Sequence, residues 1–213
     1  MTTMKDSIRI LLKAYGEELY LEQINKLLAG KNEKLQTEMK AAIPDLLSEK
    51  SIIEVGPQTY KSAVESRPNY FYVFQNKTYY EESREGCLFC SLSPEGKTIS
   101  HWESISDVRK GDLIFHDVGG SIVAISEAQT EARKSIRPYV IKGWEQDEGR
   151  RIDSTYVFLK SQIEPETIKN ELYQNQPEKV APFNKNGKGN EGYLFYFNEA
   201  CAKLVFEAML KRK

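Results

Sequence analysis

The chain has 213 residues, a net charge of −1, 40% hydrophobic and 29% charged residues. That length suits one large domain or two small ones, and the composition is that of an ordinary globular protein, which excludes a disordered or fibrous chain. The balanced charge excludes a global positive field, so any binding of nucleic acid must come from local basic patches.

The first sixty-odd residues carry helical periodicity. Ile8, Leu11, Leu12 and Tyr15 recur on one face, and Gly16 closes that helix in a left-handed conformation. A second helix runs from Leu21 to Leu28 and stops at Gly30. A third begins at Asn32, a good N-cap, and carries Leu35, Met39, Ala42, Ile43, Leu46 and Leu47, with a kink or break expected at Pro44. The period then changes. Ile52 to Val55 and Thr59 to Lys61 flank the Gly56-Pro57 turn as a hairpin. Three helices and a hairpin look like a winged helix over residues 1–65, a motif that often places its third helix in a DNA groove. That helix mixes Glu33, Glu38, Asp45 and Glu49 with Lys34, Lys40 and Lys50, so dimerisation or docking of a partner is an equal reading.

After a linker from Ala63 to Asn69 the chain is mostly strands. They are expected at Tyr70–Gln75, Gly86–Cys90, Asp112–His116, Ser121–Glu127, Ile152–Leu159 and Tyr193–Phe197. Helices are expected at Glu166–Tyr173 and Glu199–Lys211. Short strands with a few helices predict an α+β class protein whose second domain, residues 66–213, is a small mixed β-barrel with flanking helices.

Several local patterns follow one another in a fixed order. They are Tyr72-Val73-Phe74-Gln75-Asn76, Gly86-Cys87-Leu88-Phe89-Cys90-Ser91, His101-Trp102-Glu103, and Gly111-Asp112 ahead of Leu113-Ile114-Phe115-His116. Ile122 to Ser126, Trp144 ahead of the strand at Ile152, and the loop Pro182 to Tyr193 complete the set. In this order they resemble the EVE and YTH branch of the PUA superfamily. The second strand departs from that pattern, since Phe89 stands where the family usually has Trp.

The resemblance implies a pocket that stacks a modified base between aromatic walls. Phe89 and Trp144 are the implied walls, with Trp102 in reserve. Asn76 and the backbone of Cys90 or Ser91 are the implied readers of the base edge. Stacking contributes about 1–3 kcal/mol per base, and extruding a base from a duplex costs a few kcal/mol. Phe89 and Trp102 also suit a core, and Asn76 also suits a turn cap. Lys179, Lys185, Asn186 and Lys188 in the glycine-rich loop, with Arg133 and Arg150, suit phosphate contacts, although a solvated surface has the same composition.

Catalysis is not expected. Cys87 and Cys90 have the spacing of a zinc half-site, but no second pair completes it. Gly187-Lys188-Gly189 lacks the rest of a phosphate-binding loop, and His101 and His116 are the only histidines. No metal or cofactor is expected.

Cys87, Cys90 and Cys201 form an odd set, against a disulfide framework and for a reducing, cytoplasmic setting. No apolar run approaches the ~18 residues that span a bilayer, and no signal-peptide pattern opens the chain.

The combined reading is a non-catalytic protein that flips a methylated or hydroxymethylated base of double-stranded DNA into an aromatic cage, as the specificity part of a restriction or phage-defence system. Any nuclease would be a partner or a further segment. A reader of modified RNA is one alternative, and a transcriptional regulator or adaptor binding a small molecule or protein is another.

Overall fold

The computed structural model describes residues 2–64, 67–91, 103–142 and 147–212. Its N-terminal helix α1 (Met4–Tyr15) is capped by Thr3, whose hydroxyl accepts from the Asp6 amide while the Asp6 carboxylate accepts from the Thr3 amide. Gly16 ends it at φ 76°, a left-handed position that costs glycine nothing. The strand β1 (Leu19–Tyr20), α2 (Leu21–Leu28), α3 (Glu33–Ser48), β2 (Ile52–Gly56) and β3 (Thr59–Ser62) follow. These strands form a small antiparallel sheet in the order β1-β3-β2. The break expected at Pro44 is not there, and α3 runs through it. Pro44 lies on the exposed face, so water can reach the carbonyl that its ring deprives of a donor.

The larger sheet contains β4 (Tyr70–Phe74), β5 (Cys87–Ser91), β6 (Leu113–Val118), β7 (Ser121–Ala128), β8 (Arg133–Ile136), β9 (Glu148–Ile163) and β10 (Leu194–Phe197). Their order is β10-β4-β6-β7-β9-β5, with β8 also on β9. The β4–β6 pair is parallel and all the others are antiparallel. Its 16 residues let β9 serve three partners. Residues from Ser154 onward pair with β7, and the stretch up to Asp153 pairs with β5 and β8. The sheet therefore curls, but β5 and β10 are not paired with each other among the described residues. The small mixed β-barrel expected from the sequence is a curled half-barrel among the described residues.

Both faces of this sheet are covered. Tyr70, Tyr72, Leu113, Phe115, Val157 and Leu159 join the main core with α1, α2 and the C-terminal helix α6 (Glu199–Lys211). Phe71, Val73, Leu88, Cys90, Ile114, Ile152 and Leu194 take the alternate positions and form a second core over the 3₁₀ turn Ser104–Asp107. The main core also contains Leu27, Met39, Ile43 and Ile52 from the N-terminal elements. The Glu127 carboxylate accepts from both Arg9 and Lys13 of α1, and Lys13 also donates to the Gly111 carbonyl.

Two further helices frame the sheet. The short α4 (Tyr79–Glu85) joins β4 to β5, and α5 (Lys169–Asn175) follows a 3₁₀ turn at Pro165–Ile168. The Gly111-Asp112 pair has a local role. Asp112 accepts from the backbone amides of Asn69 and Arg109, which ties the chain entering β4 to the turn entering β6. No helix among the described residues is long and apolar enough to cross a membrane.

Candidate functional site

A cavity of about 360 Å³ opens where β4 ends, β5 ends and the segment after β8 passes. Four aromatic residues line it, Phe74, Phe89, Tyr139 and Tyr193. Asn76, Lys77, Thr78, Ser91 and Arg137 add polar groups, and Cys90 completes the wall. The alternation after β8 explains why Arg137 and Tyr139 reach inward. They are buried and Pro138 between them is half-buried, while Ile136 and Val140 on either side are 58% and 78% exposed.

Under this cavity sits Glu82 of α4, fully buried. One of its oxygens accepts from the Phe89 amide, the Tyr139 hydroxyl and the Tyr193 hydroxyl, each at 2.9 Å. The other accepts from Thr78 at 3.1 Å and from the Gln75 side-chain amide. Burial pushes the Glu82 carboxyl up to about 7, against the pull of these donors. The chain of polar groups continues inward. The Gln75 carbonyl oxygen faces His116 Nδ1, and His116 Nε2 lies 2.8 Å from the Ser126 hydroxyl. A carbonyl can only accept, so Nδ1 carries the proton and Nε2 accepts from Ser126. Burial lowers the His116 pKa to about 3 and keeps the ring neutral.

Phe89 is only 3% exposed. Its ring meets Tyr139 edge-on at 6.2 Å, and the Arg137 guanidinium lies 5.7 Å from its centroid. Arg137 is itself held by Asp147 at 2.5 Å and by the Ser91 hydroxyl at 3.3 Å. Beneath Phe89 runs Gly149 of β9, so close that a Cβ there would overlap the ring and the Cys90 carbonyl.

Of the residues singled out in the sequence, Phe89, Asn76, Cys90 and Ser91 come together around this cavity. The Asn76 side chain accepts from the Gly119 amide at 2.7 Å, which leaves its NH₂ group for other partners. Trp102, Trp144 and His101 lie outside the described residues. Cys87 and Cys90 fall on opposite faces of β5, Cys87 beside Phe89 and Tyr139 and Cys90 in the second core. Burial pushes both thiols up to about 12. No three His, Cys, Asp or Glu side chains gather as a ligand set among the described residues.

The glycine-rich loop lies against the outside of the same wall, where Gly189 touches the Phe74 ring. Lys179, Lys185, Asn186 and Lys188 are exposed. The amides of Asn186 and Lys188 both donate to the Asn184 side chain, so the loop offers lysine side chains to an anion, and these two backbone amides are already taken. Arg133 is paired with Asp153 at 2.6 Å, and Arg150 with Glu103 at 3.4 Å.

Sequence reasoning placed Arg137 only among the basic residues around the pocket mouth, and it missed Tyr139, Phe74 and Tyr193 as cavity residues and Glu82 beneath them. The sequence gives no signal for Tyr139, because hydropathy would turn Ile136 and Val140 inward and Arg137 outward, the reverse of what folding does. None existed for Glu82, which sits in a run of charged residues on a short helix.

Two wider grooves are present. One of about 780 Å³ runs between α5 and the loop from Gln176 to Glu191, and one of about 930 Å³ runs between α1, α4 and β9. Among the described residues, Tyr173, Phe183 and Phe195 line the first and Tyr80, Tyr156 and Phe158 the second, three aromatic side chains each against four in the smaller cavity.

No family model and no curated protein matches this chain. Solved structures do. The chain is similar to protein Atu2648 of Agrobacterium tumefaciens at 11% identity and a TM-score of 0.43, covering 66% of this chain and 92% of that one. It is similar to the YTH domain of the Zygosaccharomyces rouxii MRB1 protein, solved in complex with N6-methyladenosine RNA, at 11% identity and a TM-score of 0.45, covering 68% and 89%. It is also similar to the apo YTH domain of Toxoplasma CPSF4 at 14% identity and a TM-score of 0.46, covering 70% and 90%.

Proposed function

We propose that the protein is a non-catalytic reader whose aromatic cavity receives one modified nucleobase. The observation that supports this reading is the cavity itself. At about 360 Å³ it falls at the low end of the roughly 300–1,000 Å³ of small-molecule sites, with room for a base-sized heterocycle. Its four rings supply π-faces and apolar surface for a methyl group, and Asn76, Ser91 and Arg137 supply polar contacts for a base edge. Trp144 and Trp102 are proposed as further walls.

The nucleic acid we propose is double-stranded DNA carrying a methylated or hydroxymethylated base, as the resemblance to the EVE branch implies. The base is read after extrusion from the duplex. Lys179, Lys185 and Lys188 anchor phosphates, with Asn186 and the arginines Arg133 and Arg150 beside the path. In this proposal the protein supplies specificity to a cytoplasmic restriction or defence system, and cleavage comes from a nuclease partner or a further segment.

The N-terminal elements run helix, strand, helix, helix, strand, strand with sheet order β1-β3-β2, and we propose them as a winged-helix-like domain over residues 1–65. Exposed Glu33, Glu38, Asp45 and Glu49 on and just after α3 favour docking a protein over reading a groove.

The test is fluorescence-anisotropy binding at fixed moderate salt to one duplex. The duplex is unmodified or carries 5-methylcytosine, 5-hydroxymethylcytosine or N6-methyladenine, and the matching RNAs are included. A preference for one modified duplex supports the proposal and names the base. Equal preference for the modified RNA moves the substrate to RNA, and no preference among any of them, with the protein folded, overturns it.

A further inference from the structure

The cavity walls come from four separate stretches of chain, and one carboxylate bonds to all four. Thr78 precedes α4, Phe89 belongs to β5, Tyr139 follows β8 and Tyr193 precedes β10, yet each donates a hydrogen bond to Glu82. Gln75 adds a fifth donor from the end of β4. A carboxylate has about four lone-pair sites, so the shell is full, and every partner is a neutral donor. Nothing in that arrangement is needed to pair β5 with β9, which is secured by its own ladder.

We propose that Glu82 is the positioning residue of the cavity, holding Phe89, Tyr139 and Tyr193 to one point so that the slot is already formed before a ligand enters. The inference rests on the base-reader proposal only for what the slot takes. The consequence for recognition is preorganisation. Phenol rings tied at their hydroxyl ends keep fixed faces, and the ordering cost on binding falls. Glu82 does not itself line the cavity, so it acts through the walls.

Glutamine at this site keeps the size but replaces one acceptor oxygen with a donor NH₂. The tyrosine hydroxyls can turn to accept, but the Phe89 amide cannot. Turned one way, glutamine meets the Phe89 amide with its own NH₂; turned the other, it keeps an oxygen there but without the charge, so Glu82→Gln removes or weakens the Phe89 bond.

The first readout needs no ligand. In the full chain, amide hydrogen exchange followed by NMR reports Phe89 against Val73, a core amide of β4. Losing one buried charge-assisted bond speeds exchange at Phe89 by about tenfold or more relative to Val73. Equal acceleration at both sites means a merely structural role and overturns the proposal, as does no change at either. Tyr139→Phe and Tyr193→Phe each remove one donor without adding a clash. Each leaves the Phe89 bond in place and unties one ring, so the modified-to-unmodified affinity ratio falls in smaller steps, which keeps the proposal falsifiable if Glu82→Gln fails to fold.

The second readout is anisotropy with the four duplexes named above. Glu82→Gln brings the modified-to-unmodified affinity ratio toward one while binding of the unmodified duplex is kept. A wild-type preference that Glu82→Gln leaves intact overturns the positioning role and spares the base-reader proposal. A Phe89 exchange response in a protein with no preference among the duplexes does the reverse.

Discussion

Replacing Gly149 by alanine probes how tightly the floor of the cavity is built. A Cβ at this position would lie 2.8 Å from Phe89 Cε2 and closer still to Phe89 Cζ and the Cys90 carbonyl oxygen. The carbonyl belongs to β5, which is paired with β9 at Ser91–Gly149 and Cys90–Arg150, so it can retreat only by disturbing that ladder. The ring can retreat only by leaving its contact with Tyr139. Overpacking of this kind costs about 1–3 kcal/mol, and the reduced freedom of alanine in the unfolded chain returns at most roughly 1 kcal/mol. A net loss of about 2 kcal/mol lowers the melting temperature of a chain this size by about 4–8 °C. The displaced ring also closes the slot, so preference for a modified duplex disappears. Thermal melting and the anisotropy panel read both effects. Phe89→Leu in the same chain removes the clashing ring atoms, so Phe89→Leu with Gly149→Ala is less destabilised than the sum of the two single variants. An unchanged melting temperature with unchanged binding, or strictly additive variants, refutes the claim that Gly149 exists to seat Phe89.

Phe89→Ala removes a ring that is 3% exposed and is expected to cost about 3–5 kcal/mol in urea unfolding, besides any loss of base preference. Glu127→Ala leaves the buried Lys13 ammonium without its carboxylate and is expected to cost roughly 3–5 kcal/mol by the same measurement. Lys185→Ala with Lys188→Ala is expected to weaken binding to all duplexes alike and to reduce the salt slope by about 2, and an unchanged slope removes this loop from the interface.

The pH dependence of stability carries two opposite signs. Burial holds the folded Glu82 carboxyl at about 7 against an ordinary 4.5, so the folded state keeps its proton longer. That contribution is complete below 4.5 and is lost as pH rises to about 7, a fall of about 3 kcal/mol that Glu82→Gln removes. Glu127 goes the other way. Burial raises it, but the hydrogen bonds from Arg9 and Lys13 prevail and bring it to about 2, so its contribution is present above 4.5 and lost as pH falls toward 2. Urea unfolding across this range checks both, and a flat profile between 4.5 and 7 contradicts the burial of Glu82.

Local chemistry made much of the fold legible. Gly16 and Asn32 bound their helices because caps act over three or four residues, and those signals sit in the sequence itself. The strands at Tyr70, Leu113, Ser121 and Leu194 carry apolar residues on both faces, which marks them without knowledge of their neighbours. Three elements escaped for stated reasons. The two-residue β1 is too short to show a period, β8 reads Arg-Lys-Ser-Ile and is polar because it is an edge, and α4 is a short charged helix. Periodicity also says nothing about partners, so the parallel β4–β6 pair and the open side of the half-barrel were invisible.

The site divides in the same way. Phe89, Asn76, Cys90 and Ser91 were singled out because they lie in strand-like segments that match an ordered pattern, and folding places them around one cavity. What the sequence determined by itself is the set of local elements and the supply of aromatic and basic side chains. Tertiary structure alone decided that Glu82, Phe89, Tyr139 and Tyr193 meet, because burying a carboxylate is tolerable only where several donors converge, and those donors lie up to 111 residues from Glu82 along the chain.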